Sequence, residues 1–385
     1  MQQQLRQLSQ LQLFFRFHST TISLIPFLHN FLFCAKLSMQ LCLGVVQSIT
    51  FATFFQIATI MADLSGFDPN SAGNPNYNIF GLPFSEEDAD LIVFPVPWEV
   101  TVSYKAGTAR APEHIYRASL QVDLHDNDTN DAWRRGIFMR DLDRKILLKS
   151  DYLRKEAELY INYISQGENV NDNKFMCKTL KEVNEGSLFL NNWVYEQTKE
   201  LLAKGKLVAL LGGDHSTPLG YFKAIAEKFG DFGILQIDAH LDLRESYEGF
   251  KYSHASVMFN ALNEIPELKK LVQVGVRDYG DNEWKIVCDS NYRIVPYLDR
   301  DMKERQYEGQ PWKQIADEIV EHLPANVYIS FDIDGLDPKL CPHTGTPVMG
   351  GLETEQTFYL FRKIITSGRK LIGFDLNEVG ISTTE

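Results

Sequence analysis

Three short segments of this 385-residue chain gather carboxylates and imidazoles at spacings that suit metal binding. They are Gly212-Gly213-Asp214-His215-Ser216, Asp238-Ala239-His240-Leu241-Asp242 and Asp332-Ile333-Asp334-Gly335-Leu336-Asp337-Pro338. In an extended segment, residues i, i+2 and i+4 project to one side. Asp238, His240 and Asp242 can therefore face a common point, as can Asp332 and Asp334. Carboxylates converging in a cleft repel one another unless cations neutralise them. Four carboxylates with two imidazoles suit a pair of Mn-like divalent ions, borderline between oxygen and nitrogen preferences. Two such ions can activate water and stabilise an anionic tetrahedral transition state. A lone Asp-x-Asp is usually a turn, and a lone buried His is usually packing. Six such residues at the ends of three apolar runs are a different matter, because acids are almost never buried unpaired.

The runs that precede these segments explain how they would be positioned. Leu207–Leu211, Phe232–Ile237 and Val327–Phe331 are short, apolar and closed by Gly or Asp, so they read as buried strands. Leu91–Val96, Leu271–Val276, Tyr292–Val295 and Leu371–Phe374 read the same way. Helical patterns fall at 112–120, 217–229, 312–323 and 354–367. Strands alternating with helices predict an α/β fold with a mainly parallel sheet and helices on both faces. In such sheets ligands bind at the carboxyl ends of the strands, where all three segments lie. Residues 145–203 are polar and largely helical in pattern, with an exposed loop at 166–173 and no chemistry-bearing cluster; they read as a helical insertion.

Composition bounds the partners. Residues 1–62 hold Arg6, Arg16 and Lys36 and no acid, so they carry +3 and the remainder carries -16 of the net -13. An acidic body argues against nucleic acid, which needs basic patches. It suits a cationic substrate drawn to a negative cleft. The five cysteines (Cys34, Cys42, Cys177, Cys288, Cys341) are odd in number and widely spaced, which predicts a reducing, cytoplasmic setting.

Residues 1–61 form an atypical N-terminal extension, and 62–385 the working domain. The extension is Gln-rich at its start and uncharged from Leu37 to Met61, close to the length of a membrane span. Gln40, Gln47, Thr50 and Gln56 interrupt it, so no membrane partner is expected. A targeting segment is one alternative. The reading adopted is sequence ahead of the true start, with synthesis beginning at Met61.

The GGDHS, DAHxD and DIDxLDP segments resemble the signature motifs of the ureohydrolase family, which contains arginases and agmatinases. The resemblance spans roughly residues 88–385. It implies a three-layer α/β/α fold around about eight strands, a di-manganese centre (nickel being the alternative) and a homo-oligomer, a trimer or hexamer. It also implies one metal held by His215, Asp238, Asp242 and Asp332, and a second by Asp238, His240, Asp332 and Asp334. Asp337 would then serve only the loop before Pro338. His254, in Ser253-His254-Ala255-Ser256, matches the family's proton-relaying His, and Asp242 shares the proton chemistry. Glu378, in Asn377-Glu378-Val379, resembles the Glu that grips the guanidinium, although Gly380-Ile381 stands where the family has Asn-Pro. Ser103–Thr108 resembles an early loop that approaches the site.

The implied reaction cleaves a C–N bond of a linear guanidino compound to release urea. The stretch Leu243–Gly249 does not look like the arginase pattern. The whole resembles agmatinase-like proteins and guanidine hydrolases, so agmatine and free guanidine are the expected substrates. Formimidoylglutamate and guanidinobutyrate are alternatives, the former favoured by Asp242-Leu243-Arg244. Trp98 or Trp312 could close off a small pocket for guanidine. A single-zinc deacetylase-like enzyme would not need His240 and Asp334 together with Asp332. A non-catalytic family member should have lost ligands, and none is lost.

Overall fold

In the computed structural model, residues 64–125 and 131–382 are described; the extension at 1–61 lies outside them. The apolar runs become strands buried on both faces, as parallel strands covered by helices must be. The strands are β1 (Leu91–Val96), β2 (Ile137–Met139), β3 (Leu207–Gly212), β4 (Phe232–Ile237), β5 (Leu268–Val276), β6 (Ile294–Leu298), β7 (Asn326–Asp332) and β8 (Lys370–Asn377). They form one parallel sheet in the order β2-β1-β3-β8-β7-β4-β5-β6.

The helices are α1 (Ala111–Ser119), α2 (Arg144–Ser165), α3 (Lys174–Ala203), α4 (Leu219–Phe229), α5 (Val257–Glu264), α6 (Asp281–Asp289), α7 (Asp299–Tyr307), α8 (Trp312–His322) and α9 (Thr354–Thr366). Right-handed crossovers put helices on opposite faces when the chain moves in opposite directions along the sheet. The chain moves one way through α2 to α6 and the other way through α1 and α7 to α9. The packing agrees: α2 meets α3, α3 meets α4 and α4 meets α5, while α8 meets α9. This is a three-layer α/β/α fold.

Local chemistry starts the long helices. Asp143 accepts from the N–H groups of Lys145 and Ile146 to begin α2, and Asn173 does the same for α3 at Phe175 and Met176. Such caps are worth about 1 kcal/mol each. The segment 145–203 is thus two antiparallel helices. Helix α3 is tightly fitted to α4, because a Cβ at Gly220 would lie 2.1 Å from the Asn191 carbonyl oxygen. Large apolar side chains stay exposed on the pair: Leu148, Tyr152 and Leu159 on α2, and Phe175, Leu188 and Phe189 on α3. No helix among the described residues is long and apolar enough to cross a membrane.

The four central strands β3, β8, β7 and β4 are adjacent, about 4.8 Å apart. Their carboxyl ends deliver the GGDHS segment, Glu378, the DID segment and the DAHLD segment to one place. The sheet order, rather than nearness in sequence, assembles the site.

Candidate metal centre

Glycine lets the strand ends come this close. A Cβ at Gly213 would sit 1.9 Å from the Trp98 carbonyl oxygen, and one at Gly335 would sit 2.6 Å from the Asp238 nitrogen. Neither position can carry a larger residue without moving backbone.

The imidazole of His215 is the hub. Its Nδ1 lies 3.0 Å from Asp238 Oδ2, 3.0 Å from Asp242 Oδ2 and 3.3 Å from Asp332 Oδ2. Its other nitrogen, Nε2, is 2.9 Å from the Ser330 hydroxyl, which donates to Asp375 at 3.0 Å. An acceptor behind Nε2 keeps the proton there and leaves the Nδ1 lone pair facing the acids. His240 Nδ1 lies 3.4 Å from Asp238 Oδ1 and 3.2 Å from Asp334 Oδ2. Asp238 therefore offers one oxygen to each imidazole. Two overlapping donor groups result, His215 with Asp238 and Asp332, and Asp238 with His240 and Asp334, with Asp242 beside the first.

A second ring of hydrogen bonds holds the ligand atoms. Gln236 Nε2 donates to Asp238 Oδ2 at 2.7 Å, and Gln273 Nε2 donates to Gln236 at 2.6 Å. Asp332 accepts from the Asp334 N–H at 2.9 Å, and Asp334 from the Ala239 N–H at 3.0 Å. The Arg277 guanidinium straps the loop by donating to the carbonyls of Asp334, Leu336 and Val348. Asp337 belongs to neither donor group and accepts from the Lys339 N–H.

The electrostatics ask for positive charge. Burial and the Asp238 carboxylate push Asp242 up to about 7. Burial, then Asp334 and Asp238, raise Asp332 well above the carboxylate range. Burial alone disfavours a charged His215, yet hydrogen bonds to Asp238, Asp242 and Asp332 raise it well above its ordinary value. Asp238 is held low despite burial by hydrogen bonds from His215 and His240. Buried oxygens and imidazole nitrogens that compete for the same protons are what a pair of divalent ions would relieve. The donor set fits two such ions.

Acidification should then release metal. Asp242 ligates only when ionised, so protons compete with metal once the pH falls through about 7. Manganese titrations at falling pH should show weakening affinity across that range. Equal affinity about one pH unit above and below it would contradict the assignment of Asp242.

A cavity of about 500 Å³ opens onto this cluster. His215, His240, Asp242, His254, Asp332 and Glu378 all line it, so the structure brings the sequence-derived residues together, with Asp238 and Asp334 buried directly behind. Glu378 leaves β8 at a left-handed φ of 60°, as Asp242 leaves its segment at 55°. Non-glycine residues held there are uncommon and gather at functional sites. The Glu378 carboxylate is buried, accepts from the His215 N–H at 2.9 Å, and is raised well above its ordinary range by burial and by Asp214. Gly380 answers the departure from Asn-Pro: a Cβ there would lie 1.6 Å from the His343 carbonyl oxygen. His254 opens a short turn before α5, and burial and the two neighbouring imidazoles push it down to about 3.

Ser103, Tyr104 and Lys105 reach the mouth, as the early loop was expected to do. The tryptophans do not. Trp98 is turned wholly into the core, and Trp312 sits at the start of α8 and donates to the Gln356 carbonyl. The wall is built instead by Arg244, Tyr247, Asp278, Tyr279 and Glu283. Arg244 lies over the Tyr247 ring at 5.0 Å and 3.5 Å from Glu283. Asp278 is exposed, 3.9 Å from His240 Nε2.

An acid-lined pocket with two overlapping donor groups, on the carboxyl edge of a parallel sheet, is suited to metal-assisted hydrolysis. The family model for the arginase family matches residues 89–382. The chain belongs to the arginase family, hydrolases that cleave C–N bonds of linear amidines. It is 30% identical to an N(1)-aminopropylagmatine ureohydrolase of Thermus thermophilus over 294 residues, 76% of this chain and 83% of that protein. It is also 30% identical to an agmatinase of Proteus mirabilis over 315 residues, 80% and 85% of the two chains. The agmatine ureohydrolase structure of Thermoplasma volcanium shares the fold, with a TM-score of 0.59 at 24% identity over 79% of this chain and 86% of that one.

Proposed function

We propose that this enzyme hydrolyses agmatine to urea and the diamine, using two Mn2+ held by His215, Asp238, His240, Asp242, Asp332 and Asp334. The observation that carries the guanidino reading is Glu378. Its buried carboxylate lines the same cavity as the cluster, and no Lys or Arg among the described residues forms an ion pair with it. A guanidinium supplies that charge and matches a carboxylate through two parallel hydrogen bonds. Asp278 on the exposed wall can receive the terminal ammonium of agmatine. Agmatinase and aminopropylagmatine ureohydrolase among the relatives point to the same amine-tailed substrate class.

The ions would supply Lewis acidity, lowering the pKa of water so that it attacks near neutral pH. Glu378 orients the guanidinium carbon. Asp242, on the cavity wall beside His215, can take the proton of the attacking water and pass it toward the departing nitrogen. His254 is neutral at pH 7 and relays a proton to the nitrogen that departs as the C–N bond breaks. Removing the imidazole in His254→Ala should slow turnover by about 10²- to 10⁴-fold while metal content holds. Full turnover in that variant would remove the role.

A second reading rests on Arg244 and Lys105, two cations on the cavity wall. They oppose an ammonium tail, and free guanidine has none. Urea release from agmatine, guanidine, arginine and guanidinobutyrate at equal concentration decides. Agmatine should give the highest kcat/KM; guanidine ahead of agmatine would select the second reading. Nickel in place of manganese is tested in the same assay. We also assign the protein to the cytoplasm, which suits the free thiols of Cys177 and Cys288. We assign it to a trimer or hexamer, which would cover the exposed stripe on α2 and α3. A monomer by light scattering would refute that assembly.

A further inference from the structure

His254 is tied to a residue outside the three motifs. Thr101, fully buried in the loop after β1, bridges two of the segments that form the site. Its Oγ1 accepts from the His254 backbone N–H at 3.2 Å. The same oxygen lies 3.3 Å from His254 Nδ1 and 3.4 Å from Asp214 Oδ2. Asp214 is also fully buried, and its other oxygen accepts from both the N–H and the hydroxyl of Ser216.

We propose that Thr101 is a positioning residue that fixes the tautomer of His254 and so makes Nε2 the nitrogen that exchanges protons with substrate. The donors and acceptors around Thr101 Oγ1 fix the proton's place. A hydroxyl has one proton and two lone pairs, and a carboxylate only accepts. The Thr101 proton therefore goes to Asp214. One lone pair takes the His254 backbone N–H. The other faces Nδ1, which must then carry hydrogen for the contact to be favourable. Neutral His254 is left with its lone pair on Nε2. When Nε2 gains a proton, the Nδ1–H contact to Thr101 persists, so the ring does not reorient during transfer. In the opposite tautomer two lone pairs would face each other. Thr101 could relieve that only by turning its proton away from the buried Asp214. An outer partner that fixes tautomer and ring direction is how ligating and catalytic imidazoles are generally aligned.

This inference rests on the proton-relay role of His254. It is tested by Thr101→Val, which removes the hydroxyl at nearly constant shape, and by Thr101→Ser, which keeps it. Thr101→Val should lower kcat about 10- to 100-fold, with little change in KM or metal content, and Thr101→Ser should restore most of the loss. The imidazole ¹⁵N resonances of His254 in the metal-free protein give a readout independent of turnover. Wild type should show the Nδ1–H form, and Thr101→Val a mixture. An Nε2–H tautomer in wild type would overturn the proposal even were the valine variant not to fold. So would equal losses in the valine and serine variants, since packing and not the hydroxyl would then be at work. A wild-type protein inactive on every guanidino compound would refute the assigned reaction instead, and the resonances would still report the tautomer.

Discussion

Asp238→Ala should abolish urea release, lowering kcat by at least about 10³-fold, and should strip metal from both positions. Asp238 is the one carboxylate that turns an oxygen to each imidazole, Oδ2 to His215 and Oδ1 to His240. Its loss therefore damages both donor groups, whereas loss of Asp334 damages one. The deletion has a structural cost too. Gln236 Nε2 would lose its acceptor in a fully buried place, which costs about 1–3 kcal/mol. Asp238→Asn removes the charge and keeps one accepting oxygen, enough for Gln236 Nε2 or for the His240 N–H that Asp238 Oδ1 now accepts at 2.6 Å, but not for both. Both variants should show reduced metal by elemental analysis, and the asparagine variant, which keeps one of the two hydrogen bonds, should be the more stable of the two without metal. Wild-type turnover with normal metal content in either would remove Asp238 from the centre.

Glu378→Gln should leave metal content intact and reduce kcat/KM by roughly 30- to 5000-fold, the equivalent of about 2–5 kcal/mol for breaking one side of a buried, hydrogen-bonded charge pair. The amide has nearly the shape of the carboxylate and can still accept from the His215 N–H, so the fold around the left-handed turn should survive. What disappears is the charge that answers the guanidinium. The free carboxylate is costly to ionise there, being buried beside Asp214, so a bound cation gains strongly from meeting it. An unchanged kcat/KM would mean that the guanidinium sits elsewhere in the cavity.

The metal-ligating types were legible in the sequence because they follow apolar runs directly and repeat at i+2. Their convergence was legible only as a rule about strand ends. That β8 lies between β3 and β7, carrying Glu378 to the backbone N–H of His215, is a fact of sheet order that no local pattern encodes. Some elements carried little signal. Strand β2 has three residues, and α7 is so polar along Asp299–Tyr307 that it has no apolar stripe to betray it. The supporting residues had a fainter mark. Gln236 and Gln273 interrupt two apolar strands and are register partners, so a polar residue in each of two buried neighbours was a readable hint of something behind Asp238. Thr101 had none, since a threonine in a loop is ordinary until its neighbours are known. The tryptophans misled because size and aromaticity say nothing about direction: Trp98 faces the core and the substrate wall falls to Arg244, Tyr247 and Asp278.

The measurement that bears most directly on the whole account is urea release from agmatine and guanidine as Mn2+ is titrated into metal-free protein. Activity should be absent without metal, rise as metal is added, and level off near two ions per chain. Urea production that persists under chelation, or a protein that binds two ions and releases urea from neither compound, would contradict it.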